Sequence, residues 1–223
     1  MSTTAKSRSA GRPIQTWVHA ARMVKRSSRP GRDRTHADTG WLLAAYAGVA
    51  GFFALEALTR KPGDASSLAA SSDDQGTTRM IITAYALATD LPLLLRRLPV
   101  PQLPRVAGPI GLIVQASGLV LRAWSMRTLG ASYTRTLRTG AEHRVVTTGP
   151  YRWARHPGYT GSLLIWAGFA LASRSMPAIA IVTALLGRAY QRRVNAEEEL
   201  LYRELPGYTA YSQRTKKLVP FIW

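Results

Sequence analysis

The feature that most constrains this chain is the gathering of its apolar residues into long blocks, with Lys and Arg filling the gaps between them. A helix needs roughly 17–25 mostly apolar residues to cross the hydrocarbon of a bilayer. Residues 41–58, WLLAAYAGVAGFFALEAL, meet that requirement, with Glu56 near one end. Residues 78–95 fit less cleanly, because they carry Asp90 and Pro92. Residues 107–126 fit apart from Arg122. Residues 159–173 and 176–190 are each short and are separated by Arg174, Ser175 and Pro177, a pattern that predicts a tight helical hairpin. The alternative, buried helices of a soluble protein, would show one apolar stripe, whereas these blocks are apolar on all faces. Gly48, Gly51, Gly111, Gly118 and Gly168 supply the small residues that let helices approach closely in lipid. The expected fold is all-α and polytopic: about five transmembrane helices, a hairpin, and C-terminal helices beyond it.

The formal charge of +18 would suit a nucleic-acid binder. The cations flank apolar blocks, however, and no nucleic-acid-binding signature accompanies them. That placement is expected beside anionic head groups, so membrane lipids are the expected partners and nucleic acid is not. The chain has no cysteine, and His19, His36, His143 and His156 form no ligand pair, so no metal site is expected. Residues 1–40 hold nine Lys/Arg and two Asp and are expected to be a flexible basic tail. Within that tail Ile14, Trp17, Val18, Ala21 and Val24 fall at the spacing of a short interfacial helix. The basic run is too long before the first apolar block for a cleavable signal peptide. Residues 41–106 then form N-terminal transmembrane helices, and 107–223 a core that carries the chemistry.

Topology sets up a conflict. The segments 127–157 and 188–217 are both basic and should both face the cytosol. Counting back through three spans places the basic tail on the other side, against the same rule. Either one early block does not cross or the tail is an exception; the expectation kept is five spans.

Ionisable groups at a membrane boundary are costly unless paired or used. Two such stretches flank the hairpin, HRVVTTGPYRWARHPGYTG at 143–161 and RRVNAEEELL at 192–201. A hairpin returns its ends to one face, so the two should meet. Glu197, Glu198 and Glu199 would bring anionic oxygens to that meeting point. Arg155, Arg192 and Arg193 would bring cationic donors, and His156, Tyr151 and Tyr159 rings. Backbone around Gly149–Pro150 and Pro157–Gly158 should be irregular, which is tolerated at membrane depth where it lines a cavity. Each piece has a plainer reading: three Glu in a row ordinarily form a solvated face, His before Pro an ordinary turn, and Tyr151, Trp153 and Tyr159 an interfacial belt. Their joint occurrence around one hairpin favours a site.

At these residues the chain resembles the isoprenylcysteine carboxyl methyltransferases and their relatives among phospholipid N-methyltransferases. The family's RHPxYxG pattern stands at Arg155 to Gly161, its H-x-L-V-T-x-G-x-Y element at His143 to Tyr151, and its R-x-x-x-E-E element at Arg193, Glu197 and Glu198. The tail YTAYSQRTKKLVPFIW is similar to the family's ending. The likeness covers roughly residues 110–223. Val145 stands where Leu is common, and LPGY at 205–208 replaces a longer FGxEY.

The resemblance implies an integral-membrane enzyme that uses S-adenosylmethionine, with its site facing the cytosol. It implies cofactor contacts at His143, Arg144, Val145, Val146, Tyr151, His156, Pro157, Gly158, Tyr159, Glu197 and Glu198, and a substrate-side catalytic role for Arg193. The acceptor would be a lipophilic small molecule or lipidated substrate, with a carboxylate favoured over a phospholipid amine or a thiol. Two other readings stand beside it: an NADPH-dependent membrane reductase, for which the chain looks short, and a non-catalytic protein whose basic tail binds lipid or a partner.

Overall fold

A computed structural model describes residues 30–59, 76–95, 98–130 and 145–218. The interfacial helix expected between Ile14 and Val24 lies outside the described residues. The chain divides into two units, residues 1–39 and 40–223. Six α-helices are described: α1 Pro30–Leu58, α2 Thr77–Leu95, α3 Ala107–Leu129, α4 Pro157–Ala172, α5 Met176–Glu204 and α6 Tyr208–Arg214. A short 3-10 turn, Gly149–Arg152, precedes α4. No strand occurs among the described residues, only the isolated bridges Gln102–Ser175 and Ala154–Lys216. Three segments, Gly40–Leu58, α2 and α3, are long and apolar enough to cross a membrane. The protein is an all-α integral membrane protein. Large apolar side chains such as Leu43, Ile113 and Val120 are exposed on these helices, as a lipid-facing surface requires.

Two helices differ from the expectation. α1 starts at Pro30, eleven residues before the first apolar block opens at Trp41. Proline suits a first helical position because its φ is already helical and its missing N–H would have no partner there. The second arm of the hairpin does not stop at residue 190 but runs on as one helix to Glu204. Nothing between Gly187 and Glu204 breaks it, and its buried stripe continues through Tyr190, Arg193, Val194, Glu198 and Leu200. The hairpin turn falls at Ser173–Ser175. The Ser175 hydroxyl accepts from Ala178 N at 3.4 Å, and Arg174 adopts φ 61°. Arg174 is held there by donating Nε and Nη2 to Leu103 O at 3.0 and 2.8 Å.

α3 and α4 pack through glycines. A Cβ on Gly118 would lie 2.6 Å from Gly161 O, and one on Gly161 2.8 Å from Arg122 N. Gly111 and Gly168 face each other one pair further along. Without side chains the backbones come within van der Waals reach, which is how helices gain contact where lipid removes the hydrophobic drive. An aromatic cluster fills the rest of the interior. Tyr85 stacks on Trp166 at 5.0 Å and shares a 2.5 Å hydrogen bond with the hydroxyl of Tyr190. Phe52 and Phe169 meet Trp166 edge-on.

These contacts fix the helix directions. α3 and α4 are antiparallel, as are α2 and α5. α1 runs the same way as α3, since Gln115 donates to Ala45 O at 2.9 Å and Arg122 to Glu56 at 2.7 Å. The end of α1, the starts of α2 and α4, the end of α3 and the polar half of α5 therefore lie at one end of the bundle. Gly40 and the hairpin turn lie at the other. The alternation agrees with the count through five spans and leaves Gly40 opposite the polar strips.

Candidate functional site

The stretch RWARHPGYTG begins at the 3-10 turn. Gly149, at φ 57°, has no room for a side chain, because a Cβ would lie 2.9 Å from Thr128 Oγ1. Residues 154–156 then run alongside the C-terminal segment: Arg155 N donates to Lys216 O at 2.8 Å and His156 N to Lys217 O at 2.9 Å. Pro157 opens α4, and Thr160 Oγ1 bonds Leu218 O at 2.7 Å. The turn before α4 is thus fixed by a segment about sixty residues later in the chain.

The two polar strips meet, as the hairpin predicts. Glu198 is buried, and its Oε1 accepts from Arg155 Nε at 2.7 Å, His156 Nε2 at 3.0 Å and Tyr208 OH at 2.8 Å. Its Oε2 accepts from Arg155 Nη2 at 3.1 Å and faces Lys217 Nζ at 3.6 Å. A carboxylate only accepts, so His156 carries its proton on Nε2. Burial alone would raise the Glu198 pKa. The hydrogen bonds from His156, Arg155 and Tyr208 outweigh it and hold the carboxyl well below the usual range. Burial and the same carboxylate push the Tyr208 phenol up. Burial also raises Tyr211, to about 12, and its hydroxyl donates to Tyr151 O at 2.6 Å. Arg155 completes the clamp: its Nη1 donates to Ser212 O at 2.9 Å and to Thr215 O.

Glu197, one residue earlier, is placed differently. Its Oε1 lies 3.9 Å from His156 Nδ1, and its Oε2 is buried with no hydrogen-bond partner. The His156 ring stacks on Tyr159 at 5.9 Å and 30°. Arg193, on the same face of α5 as Glu197, is buried and donates Nε to the Tyr159 hydroxyl at 3.3 Å. Its Nη1 reaches Thr77 and Thr78 at the start of α2, at 3.0 and 3.2 Å. His156, Tyr159, Arg193, Glu197 and Glu198 therefore form one cluster, with Pro157 and Gly158 in its backbone. Tyr151 and Pro157 are buried, and Val145, Val146 and Gly158 are half-buried. His143 and Arg144 lie outside the described residues. Glu199 and Arg192 are exposed, so the plainer reading of the acidic run as a solvated face holds for Glu199 alone of the three.

Sequence reasoning missed one partnership. Glu56 and Arg122, read above only as blemishes on apolar spans, are bound to each other, with Arg122 Nη2 2.5 Å from Glu56 Oε1. Arg122 Nη1 also donates to Gly158 O at 3.0 Å and Ser162 Oγ at 2.6 Å, and its guanidinium lies over the Phe52 ring. The signal was present: two opposite charges, each alone in an apolar block, are costly unless they meet.

Residues 110–203 match the model of the Isoprenylcysteine carboxyl methyltransferase (ICMT) family, which covers the motifs at Arg155–Gly161 and Arg193–Glu198. The "Probable protein-S-isoprenylcysteine O-methyltransferase" of Oryza sativa subsp. indica is 36% identical over 118 residues, 51% of this chain and 61% of that protein. Protein-S-isoprenylcysteine O-methyltransferase B of Arabidopsis thaliana is 34% identical over 117 residues, 50% of this chain and 58% of that one. The Mus musculus protein-S-isoprenylcysteine O-methyltransferase is 28% identical over 149 residues, 63% of this chain and 51% of that one. The chain thus spans about half to three fifths of the length of these curated relatives. In fold it is similar to the solved eukaryotic intramembrane Ras methyltransferase ICMT, with a TM-score of 0.50 and 24% identity over 65% of this chain and 52% of that one. The resemblance expected from the motifs is borne out.

Proposed function

We propose that this chain is an S-adenosylmethionine-dependent methyltransferase of the membrane, acting on the carboxylate of a lipophilic, isoprenylcysteine-type acceptor. The observation that carries the reading is Glu197 Oε2, a buried carboxylate oxygen without a partner beside the His156–Tyr159 stack. A buried acceptor of that kind is costly unless a ligand donor completes it. An ammonium or a ribose hydroxyl is such a donor, and a charge-assisted bond to it is strong. His156, Pro157, Gly158, Tyr159 and Tyr151 would line the same site, and the resemblance assigns further cofactor contacts to His143, Arg144, Val145 and Val146.

S-adenosylmethionine, when bound, supplies a methyl carbon activated by a sulfonium. The protein's part is positioning. Glu198 fixes Arg155 and His156 and so the wall that Tyr159 and Glu197 share. Arg193, held by Tyr159, Thr77 and Thr78, would orient the acceptor, the role that the resemblance gives it. A carboxylate acceptor is already anionic at neutral pH and needs no general base, so bringing nucleophile and methyl into line accounts for most of the acceleration. The basic segments on both sides of the hairpin favour a cytosolic site.

Calorimetry on the detergent-purified full chain tests the reading. The wild type should bind S-adenosylmethionine, and Glu197→Gln should weaken binding by about tenfold or more, the loss of one charge-assisted bond, with the melting temperature unchanged. Transfer of labelled methyl to a farnesylcysteine acceptor should follow. Absence of wild-type binding, or full-strength binding by Glu197→Gln, would sink the assignment.

A further inference from the structure

We infer that the C-terminal segment forms a binding site for a phosphate group, and that its occupant is the head group of an anionic membrane lipid. An open pocket of about 350 Å³ is lined by Arg155, Arg214, Lys216 and Lys217, with Ser212 and Thr215 between them. That volume lies in the range of small-ligand sites. None of His156, Tyr159 or Glu197 lines it; the pocket adjoins the methyl-transfer cluster only through Arg155 and Lys217, which face Glu198 from its side.

Charge favours an anion there. Four cations border the pocket, and Glu198, paired with Arg155 and near Lys217, offsets one of them. Arg214 and Lys216 are exposed at its rim. One feature should oppose an anion, the C-terminal end of α6, whose last carbonyls carry negative partial charge. Arg155 weakens that objection. Its Nη1 donates to Ser212 O and Thr215 O, and Thr215 Oγ1 donates to Tyr211 O at 2.9 Å. Two of the last four carbonyls of α6, those of Tyr211 and Ser212, are already bonded to donors, one of them a guanidinium, which reduces the negative field an anion would meet.

Position selects a lipid over a soluble anion. The Ala154–Lys216 bridge ties the pocket to the root of α4, which begins at Pro157. Trp153, two residues from Arg155, is 40% exposed and packs edge-on to Trp124, itself 44% exposed near the end of α3. The Arg152 guanidinium lies 3.8 Å over the Trp153 ring. Exposed indoles with a cation beside them mark the head-group level of a membrane protein. A phosphate held by Arg214, Lys216 and Lys217 at that level would leave its acyl chains free to run along the bundle. The site is independent of methyl transfer and stands or falls by itself.

Native mass spectrometry of the detergent-purified full chain tests it, with phosphatidylglycerol, phosphatidylcholine and inorganic phosphate as probes. Phosphatidylglycerol should be retained in preference to phosphatidylcholine, and millimolar inorganic phosphate should not displace it. The double variant Arg214→Ala, Lys216→Ala should lose phosphatidylglycerol by about thirtyfold, as removal of two cations from a head-group surface predicts. Arg203→Ala, a charge loss elsewhere, and the charge-conserving Lys216→Arg should bind as the wild type does. Equal retention of the two lipids by the wild type would overturn the inference, whatever the variants do. So would unchanged binding by the double variant. Displacement by inorganic phosphate would overturn the lipid assignment in favour of a soluble anion.

Discussion

Adjacent carboxylates on α5 do different work because a helix turns about 100° per residue. Glu198 points into the clamp and takes donors from Arg155, His156 and Tyr208, while Glu197 keeps one oxygen unpartnered. Removing one member of a buried ion cluster strands the others, at a cost of about 3–5 kcal/mol. Glu198→Ala should therefore lower the melting temperature of the detergent-solubilised protein sharply, where Glu197→Gln leaves it in place. Titration separates the two again. Glu198 has a folded-state pKa below its ordinary value of 4.5, so its contribution is complete above that pH and is lost as pH falls toward the lower value. A melting curve followed downward from pH 4.5 should show the decline, and Glu198→Gln should flatten it. At the alkaline end the sign reverses. Tyr211 is raised from 10.0 to about 12, so what it contributes is complete below 10.0 and lost as pH rises to about 12, a slope that Tyr211→Phe should remove.

At the scale of elements, the α3–α4 contact rests on absent side chains. Gly118→Ala would drive a methyl to within 2.6 Å of Gly161 O, which belongs to backbone and cannot rotate away. Overpacking of that kind costs about 1–3 kcal/mol. A methyl added at Gly187 on α5 would meet nothing within 4 Å, so Gly187→Ala should be neutral or stabilising through helix propensity alone. Thermal melts of the two variants in one detergent give the comparison, and a Gly118→Ala protein as stable as Gly187→Ala would refute the packing argument. The Glu56–Arg122 pair joins α1 to the same contact. Because Arg122 also holds Gly158 O and Ser162 Oγ at the root of α4, its loss should disturb the site as well as the bundle. In a double-mutant cycle, Glu56→Gln and Arg122→Gln should couple by more than about 1 kcal/mol, as contacting charges do.

At the scale of the whole molecule, the apolar blocks, the hairpin and the meeting of His156 with the acidic run were all legible, because each follows from length, period or the return of a hairpin to one face. The rest depends on rotation and on long-range partners. Which glutamate faces the clamp is a matter of helix phase. The Glu56–Arg122 bond spans 66 residues, and Arg193 reaches Thr77 across 116, so the expected core at 107–223 takes polar contacts from α1 and α2 that no local pattern marks. The length of α5 was hidden because a polar surface on its second half looks the same whether the helix continues or a loop begins. The fold also sharpens the topology conflict. Five alternating helices place the hairpin turn and Gly40 at one end, with His156 and Lys216 at the other. The chain contains no cysteine, so single cysteines can report sidedness without background. Met176→Cys, 49% exposed beside the hairpin turn, and Lys216→Cys, exposed on the C-terminal segment, should react with an impermeant maleimide from opposite faces of sealed vesicles. Positive-inside bias predicts that the Lys216 side is cytosolic. Labelling of both positions from one face would mean that α4 and α5 do not cross as a pair, and the polar cluster would then no longer sit where a hairpin returns its ends.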